Sequence, residues 1–436
     1  MLAFSSTGLT GDVGAMEIVV KETTIVSPCE ETPKTSLWLS NLDLVMMPYH
    51  VSTVYFYKPN GSSNFFDTKV LKEALSKILV SFYPVAGRFG YDENGRLEIV
   101  CNGEGVVFIE AETSSDSDDL VKDSADGSKF ALVPKFDYSG AISSYPLLGL
   151  QVTSFKCGGV SLGVSIIHTL VDGHSGNLFV NSWADMARGV SPSIAPVLDR
   201  TILRARYPPT PKFHHVEFEP STESQSVPKP SIVSAFKITV EQVKALKAKV
   251  HDASSNTKYS TYNILAAHIW RCATEARDLT EDQEVKLLMP IDGRNRLQPR
   301  LPPGYFGNVI FNATPVARAG EIRSEPFLAT VKRIQEILKG MNDEYLRSSI
   351  DLIEKTKDLK TVWPGCPNLS INSWMWLPIH DADFGWGHPV FMKHAKIFHE
   401  GKVYILPSST GDGSFMLEAR LETCHMERFA TLLYEF

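Results

Sequence analysis

The sequence predicts a mixed α/β protein built from two packed halves. Its 436 residues exceed the size at which a single hydrophobic core stops growing. Strand-like and helix-like stretches recur along the whole chain, but without the regular βαβ alternation and glycine fingerprint of a dinucleotide-binding fold. A segment rich in Pro, Ser and Glu, residues 207–231, cannot form a continuous backbone ladder or bury much apolar surface. We therefore expect a mixed sheet with helices in each half, joined by a long crossover.

The crossover sets the predicted domain boundaries. Residues 1–15 lack the basic start and apolar run of a secretory signal, and we expect a disordered extension. Residues 16–206 form the first domain and residues 232–436 the second, with 207–231 as linker. A segment around residues 370–390 is a candidate for packing against the first domain.

Strand and helix signals alternate in the first half. Residues 52–57, STVYFY, are rich in β-branched and aromatic side chains, which predicts a strand. A helix follows, with Asp67 as N-cap and its apolar residues on one face, and it ends at Pro84. RLEIVCNG and GVVFIEAE are predicted to pair as strands joined at Asn102 and Gly103.

The remaining elements follow the same signals. Two strands flank Gly158, and GHSGNLFVNSWADMARG predicts a helix that stops at Gly189. The second half opens with a strand, VSAFKI, and a helix whose Thr239 and Gln242 have the spacing of a capping box. An apolar helix over residues 261–274 and a strand-like LLMPI come next.

Composition excludes several classes of function. The net charge of -7 and the scattered basic residues argue against nucleic acid and anionic membranes as partners. No apolar run reaches the length of a transmembrane helix. The six cysteines lie far apart with no CxxC pair, so neither a zinc knuckle nor a disulfide framework is predicted. We expect reduced thiols, a cytoplasmic location and a monomer.

The motif IIHTLVDG places His168 where an apolar strand meets the start of a helix. A histidine in that position is shielded from water, stays neutral near pH ~7 and can remove a proton from a hydroxyl or an amine. The alternative is a core histidine that bonds only to backbone. A metal site with Asp172 and His174 is disfavoured because no further His or Cys is spaced to complete it.

Asp172, four residues after His168, has two possible partners. It could orient the imidazole as a dyad, but Gly173 turns the chain immediately after it and favours a structural ion pair instead. Arg294, in IDGRNR after the LLMPI strand, is the candidate partner because a guanidinium holds a buried carboxylate at two points. The alternative is that this arginine is a solvated turn residue.

The loop DADFGWG, residues 381–387, combines acids, glycines and aromatics. Its glycines allow close backbone approach, and Trp386 carries an indole N–H that could close a channel or stabilise an oxyanion. Structural closure is the favoured alternative, and Trp386 is retained as a candidate catalytic residue.

Four motifs in order, FYPVAGR, HTLVDG, YFGN and DFGWG, resemble those of the plant BAHD acyltransferase family. The similarity covers nearly the whole chain from Met16. Within the family the chain resembles the hydroxycinnamoyl-CoA shikimate/quinate hydroxycinnamoyltransferases and the rosmarinate-forming enzymes. The resemblance implies two chloramphenicol-acetyltransferase-like domains with a solvent channel between them. It also implies hydroxycinnamoyl-CoA and a small-molecule acceptor as substrates, with no metal and no tightly bound cofactor.

The resemblance also implies roles for individual residues. It makes His168 the general base and Asp172 and Arg294 a structural pair. It implies a structural role for Asp383 and Gly385 of the DFGWG loop. It places Lys258 and Ser260 near the phosphates of CoA.

The chain departs from the family where the acceptor binds. Relatives that acylate shikimate carry SWxRLP, whose arginine faces the acceptor carboxylate, whereas SWMWLP places Trp376 there. His388 replaces the usual arginine after DFGWG. His50, Thr53 and Tyr55 match acceptor-pocket positions. An indole cannot form a bidentate ion pair, so we expect an acceptor other than shikimate.

These observations predict an acyltransferase that moves a coumaroyl or caffeoyl group from CoA to an acceptor hydroxyl or amine. The alternative within the class is a shikimate/quinate O-hydroxycinnamoyltransferase. The alternative from another class is an inactive binding or regulatory protein that kept the fold, against which the presence of both His168 and Trp386 argues.

Overall fold

The computed structural model describes residues 16–116, 130–219, 229–250, 258–356 and 365–436. The predicted extension at residues 1–15 and part of the predicted linker lie outside these ranges. Within them, no helix is long and apolar enough to cross a bilayer.

The described residues form sixteen β-strands. These are β1 (Val19–Val26), β2 (Ser36–Trp38), β3 (His50–Tyr57), β4 (Arg88–Tyr91), β5 (Leu97–Val100), β6 (Val106–Thr113), β7 (Leu148–Phe155), β8 (Val160–Ile167), β9 (Ser231–Ile238), β10 (Glu284–Asp292), β11 (Ile310–Ala313), β12 (Val316–Arg318), β13 (Leu369–Ser373), β14 (Phe391–His394), β15 (Lys402–Pro407) and β16 (Phe415–Glu422).

Nine α-helices accompany the strands in these ranges. They are α1 (Asn41–Leu44), α2 (Thr68–Ser81), α3 (Gly173–Ala187), α4 (Val240–Lys249), α5 (Thr261–Ala276), α6 (Ala319–Ser324), α7 (Phe327–Gly340), α8 (Asp343–Lys355) and α9 (Thr423–Leu433).

Two large sheets and one small sheet organise the chain. The first large sheet has the order β1-β6-β7-β8-β3-β14, and the small sheet has the order β2-β5-β4. The second large sheet has the order β11-β10-β13-β15-β16-β9, with β12 also paired to β10. Most neighbours are antiparallel, but β6 and β7 are parallel, as are β13 and its neighbours β10 and β15. Both large sheets are therefore mixed, as the sequence predicts.

The predicted helix ends are confirmed by the cap geometry. Asp67 accepts a hydrogen bond from the backbone N–H of Lys69 at the start of α2. Thr239 and Gln242 form the reciprocal capping box of α4. Gly189 has a φ of +74° just beyond α3, a backbone conformation that favours glycine.

The predicted pairing of RLEIVCNG with GVVFIEAE is wrong. β5 lies between β2 and β4 in the small sheet, whereas β6 lies between β1 and β7 in the first large sheet. Gly103 and Gly105 both have positive φ, of +71° and +97°. They redirect the chain from one sheet to the other instead of closing a two-residue hairpin.

The second half of the chain contributes to the first sheet and its core. β14 pairs with β3, and Phe384 and Trp386 belong to the same hydrophobic cluster as the first-half residues Phe66 and Trp183. The hydroxyl of Tyr57 donates to the carbonyl of Ala382 at 2.8 Å. The chain around residues 382–394 thus packs on the first half.

The described part of the crossover is only partly exposed. Tyr207 is fully exposed, but His215 and Glu217 are buried. His215 hydrogen-bonds Glu217 and Ser348 of α8, both at 2.9 Å. The crossover is therefore anchored to the second half through polar contacts, while the domain boundaries themselves stay predictions.

Candidate active site

His168 follows the last residue of β8, at the point where the chain leaves the first sheet for α3. Its backbone N–H donates to the carbonyl of Tyr49 at 3.3 Å. A tight turn follows, closed by the N–H of Leu170 on the carbonyl of Ile167 at 3.0 Å. The backbone of His168 is therefore fixed on both sides, which holds the imidazole at the end of the sheet.

The imidazole of His168 lines a cavity of about 260 Å³. The walls include Met46 and Gly173 from the first half and Asn312, Trp374 and Tyr404 from the second half. Two stretches of chain that are distant in sequence thus enclose one space around the histidine. Such a concave site, in which polar side chains stand among apolar walls, is typical of small-molecule binding.

The surroundings of His168 favour the neutral imidazole. Burial lowers its pKa below the usual value, and the positive charge of Lys402 acts in the same direction. Its Nδ1 atom is buried and has no hydrogen-bond partner among the described residues. A neutral imidazole in a cavity is the protonation state that a general base requires.

Asp172 does not hydrogen-bond His168 but is held by Arg294. The guanidinium donates from Nη1 to Oδ2 at 2.8 Å and from Nη2 to Oδ1 at 3.1 Å. Asp172 also caps α3 through the N–H of Ser175 at 3.0 Å and accepts from the N–H of Val309 at 3.0 Å. Burial alone would raise the pKa of Asp172, but the Arg294 charge and these hydrogen bonds hold it below its usual value.

This ion pair joins the two halves at the wall of the cavity, which Asp172 lines. Both side chains are buried, and Arg294 also donates to the carbonyl of Gly307 at 3.0 Å and to Ser175 Oγ at 2.9 Å. The structure therefore contains the contact that the sequence predicts between Asp172 and Arg294. No hydrogen bond joins Asp172 to the imidazole of His168, which disfavours the dyad.

A second buried polar cluster supports the His168 turn and was missed in the sequence. The amide of Asn308 donates to the carbonyl of His168 and to Asp43 Oδ1, each at 2.9 Å. Asp43 in turn pairs with the buried Arg200 at 3.1 Å. The YFGN motif contains Asn308, but nothing local in the sequence indicates partners at residues 43 and 200.

The DFGWG loop packs away from the cavity. Trp386 contacts Phe66 with ring centroids 5.2 Å apart, and its indole N–H points to Asn64 Oδ1 at 3.4 Å. Asp383 accepts from the N–H groups of Gly385 at 2.8 Å and Gly387 at 2.9 Å. These contacts are those of structural closure, and the structure does not bring Trp386 to His168.

The predicted acceptor residues also lie outside the cavity lining. His50 is buried and stacked on Phe136 at 3.7 Å, and burial lowers its pKa to about 3. Tyr55 is buried in the first core, and Thr53 lies between Val164 and His394 in the sheet.

The two predicted acceptor residues of the second half are exposed. Trp376 is 83% exposed, although Trp374 and Leu377 beside it line the cavity. The exposed His388 contacts the carbonyl of His380 at 3.0 Å. Neither side chain lines the cavity in this structure, so their role in acceptor binding stays a prediction.

The residues predicted to contact CoA precede α5. Ser260 is the N-cap of α5 and accepts from the N–H of Asn263 at 3.1 Å. Lys258 is exposed, and its carbonyl accepts from the Gln335 amide at 3.3 Å. An exposed lysine beside a helix N-terminus suits a phosphate chemically, but the CoA contact stays a prediction.

One group of potential metal ligands lies elsewhere. Glu422, Cys424 and His425 come close together at the start of α9. None of the three lines the cavity of His168, and Glu422 already pairs with Lys229 at 3.2 Å. The expected absence of a metal from the reaction stays a prediction.

The chain is similar over nearly its full length to a known protein family and to curated proteins. The model described as Transferase family matches residues 16–435. Shikimate O-hydroxycinnamoyltransferase from Nicotiana tabacum is 51% identical, over 97% of this chain and 100% of that protein. Rosmarinate synthase from Plectranthus scutellarioides is 47% identical, over 96% of this chain and 100% of that protein. A hydroxycinnamoyl-CoA:5-hydroxyanthranilate N-hydroxycinnamoyltransferase from Avena sativa is 46% identical, over 96% and 99%.

Solved structures share the fold at low identity. Vinorine synthase superposes with a TM-score of 0.76 at 21% identity, over 94% of this chain and 96% of that one. TRI101 from F. graminearum, complexed with coenzyme A and T-2 mycotoxin, gives a TM-score of 0.77 at 18% identity. The match covers 90% of this chain and 96% of TRI101. These likenesses confirm the predicted mixed α/β fold with two chloramphenicol-acetyltransferase-like domains.

Proposed function

Because this chain belongs to the BAHD family of acyl-CoA-dependent acyltransferases, we propose that it transfers a hydroxycinnamoyl group from CoA to a small acceptor. The acyl group is coumaroyl or caffeoyl, and the acceptor offers a hydroxyl or an amine. The observation that supports this most strongly is a neutral, partly buried His168 in a cavity lined by both halves of the chain.

In the proposed mechanism His168 removes the proton of the acceptor nucleophile as that nucleophile attacks the thioester carbonyl. The tetrahedral oxyanion is stabilised by nearby hydrogen-bond donors, and it collapses with release of CoA as the thiol. The imidazolium returns its proton to the leaving sulfur. No acyl-enzyme is required.

Asp172 and Arg294 take no direct part in this chemistry; they hold the catalytic turn in place. Their buried pair fixes the start of α3, which follows the catalytic turn, against the second half of the chain. Because Asp172 is ionised and fully engaged by donors, it is not available to take a proton from His168.

The lowered pKa of His168 predicts how activity depends on pH. A protonated imidazole cannot accept a proton, so activity is lost as the pH falls through the pKa of the folded protein. Because that pKa lies below 6.5, we expect the acid limb of kcat/KM to lie below pH 6.5 with a hydroxyl acceptor. An acid limb centred above pH 6.5 would show that the imidazole is not shielded as described.

The acceptor is proposed to differ from shikimate, because the SWMWLP segment has no arginine to face its carboxylate. The second candidate, a shikimate or quinate O-hydroxycinnamoyltransferase, is favoured by the 51% identity to the tobacco enzyme of that name. Incubation of the protein with coumaroyl-CoA and a panel of hydroxy acids, amino acids, amines and alcohols separates these candidates. Free thiol and acylated product would both be measured.

Release of CoA thiol without an acylated product, or no release with any acceptor, would contradict the proposed transfer. The second outcome would favour an inactive binding protein of the same fold. Shikimate as the best acceptor would favour the second candidate.

We expect Trp376→Arg to raise kcat/KM for shikimate by about tenfold, because an arginine that reaches the cavity beside Trp374 and Leu377 can pair with the acceptor carboxylate. A hydrogen bond to a charged group is worth ~1.5–3 kcal/mol. Trp376 is exposed, so the change leaves the core intact. Trp376→Gln is the matched control, since it removes the ring without adding a charge. Efficient shikimate acylation by the unaltered protein, or an equal gain in both variants, would contradict the prediction.

A further inference from the structure

Lys402 is a cation of the cavity that the proposed mechanism does not use. It is the first residue of β15, and its side chain lines the same space as His168. Its Nζ lies 5.8 Å from the centroid of the Tyr404 ring. In the described parts of the chain no carboxylate forms an ion pair with Lys402, unlike the many surface lysines that do.

The acidic residues of the cavity are already neutralised by another cation. Asp172 and Asp292, which both line the cavity, pair with the single guanidinium of Arg294 at 2.8 and 3.1 Å. Neither carboxylate is therefore free to balance Lys402. The cavity keeps a positive charge on the wall formed by β15.

An unbalanced charge in such a place is costly. Burial lowers the pKa of Lys402 to about 8, which leaves the ammonium predominantly protonated at neutral pH. A buried charge gains most when a partner of opposite sign arrives with hydrogen bonds. A carboxylate from a bound molecule would supply both.

The wall that contains Lys402 is connected to the catalytic turn. The carbonyl of Tyr49 accepts from the N–H of His168, and the Tyr49 ring packs edge-on against Phe398 at 5.5 Å. The Tyr49 hydroxyl lies 3.5 Å from His399 Nε2. Phe398, His399 and Lys402 all line the cavity.

His399 does not compete with Lys402 for an anion. Burial, with the nearby charge of Lys402, lowers the pKa of His399 to about 4. Its imidazole is therefore neutral at neutral pH, and it contributes hydrogen bonding but no charge. Lys396 also lines the cavity, with its Nζ 5.2 Å from the centroid of the Phe398 ring, but the cation whose charge lowers the pKa of His168 is Lys402.

We propose that Lys402 binds a carboxylate of the acceptor, so that the preferred acceptors are small hydroxy or amino acids and not neutral alcohols or amines. This inference rests on the proposed function and identifies its acceptor class. The carboxylate lies at the first residue of β15, whereas the SWMWLP segment begins at Ser373, which pairs with Ile405 further along that strand. An acid bound to Lys402 is therefore held at a different place from a shikimate carboxylate that faces an arginine at position 376. The bound acid presents the acceptor nucleophile to His168 across one cavity.

The test compares acids with their methyl esters, which keep the size but remove the charge. Phenyllactate, malate and anthranilate would each be assayed beside the ester, with coumaroyl-CoA as donor. The variants are Lys402→Met, which removes the charge, and Lys402→Arg, which restores it. Lys339→Met is the matched control, because Lys339 is exposed, lies outside the cavity lining and pairs with Glu336 at 2.8 Å.

We expect Lys402→Met to lower kcat/KM for the best acid by about ten- to a hundredfold, mainly through KM, and to change the ester by less than about threefold. Lys402→Arg and Lys339→Met should stay within about fivefold of the unaltered protein on the acid. KM for coumaroyl-CoA should not change. The melting temperature of each variant would be measured first, so that a folding defect is not taken for a binding defect.

Three results would overturn the inference. Equal losses on acid and ester would mean that Lys402 acts on structure or chemistry. A rise in KM for coumaroyl-CoA alone would mean that it binds a phosphate of CoA. Neutral acceptors that match or exceed their acids with the unaltered protein would remove the acid preference.

A binding measurement distinguishes failure of the proposed function from failure of the carboxylate site. If no acceptor is acylated, binding of each acid and its ester to the CoA-loaded protein is measured by saturation-transfer NMR. Acid-selective binding that is lost in Lys402→Met would keep the carboxylate site without the transfer, and unselective binding would reject the site.

Discussion

Replacing His168 with alanine is expected to lower kcat/KM for acyl transfer by about a hundredfold to ten-thousandfold. A methyl group cannot accept the proton of the acceptor. His174 lines the same cavity, but it lies in the first turn of α3, two residues after Asp172, and not at the end of β8. The assay would follow thiol release and acylated product together.

The fold should survive this change, since the contacts that fix the turn are made by the backbone of residue 168. Its N–H donates to Tyr49 and its carbonyl accepts from Asn308, and both remain in alanine. His214→Ala is a suitable control because that histidine is 77% exposed and far along the crossover. Turnover within about threefold of the unaltered protein, in a variant of unchanged melting temperature, would remove His168 from the mechanism.

The second large effect is expected on stability. Asp172→Asn removes the buried carboxylate that pairs with Arg294 and leaves the guanidinium only the partly exposed Asp292. Breaking a buried pair in this way costs about 3–5 kcal/mol. The change also weakens the cap of α3 and the contact with the N–H of Val309. We therefore expect a clear drop in melting temperature or a loss of folded protein on expression.

Asp185→Asn provides the control on the same helix. Asp185 pairs with Arg188 at the surface, where an ion pair is worth about 0–1 kcal/mol. An Asp172→Asn variant with unchanged melting behaviour but no activity would contradict the structural role. That result would restore the dyad in which Asp172 orients the imidazole.

Local patterns were sufficient to predict much of the catalytic half of the site. The strand before His168, the helix after Asp172 and the arginine after the LLMPI strand all follow from short-range signals of periodicity, turns and charge. The pair of Asp172 with Arg294 could be proposed because a buried carboxylate at a helix start needs a cation. The four motifs in order then predicted the family.

Long-range placement could not be read from the sequence. Gly103 and Gly105 have positive φ and direct β6 into a different sheet from β5. The residues that connect β5 to β6 nevertheless resemble a hairpin turn in sequence. Trp386 is held by Phe66 and Asn64, which lie more than three hundred residues away and give no local signal. Such contacts depend on how the two halves pack.

The acceptor side shows the same limit. The resemblance assigns His50 to the acceptor pocket, but its ring stacks on Phe136 and does not line the cavity. Lys402, which lines the cavity, is the first residue of β15. Its register partners are Ser370 on β13 and Arg420 on β16. Only the order of strands in the second sheet brings it into the same space as His168.

A crystal structure with CoA and a poor-turnover acceptor analogue tests the central claim most directly. The CoA sulfur and the acceptor nucleophile are expected in the cavity that His168 lines. The nucleophile should lie about 3 Å from a ring nitrogen of His168, with Asp172 still paired to Arg294. An acceptor bound outside this cavity, or Asp172 turned from Arg294 to the imidazole, would contradict it.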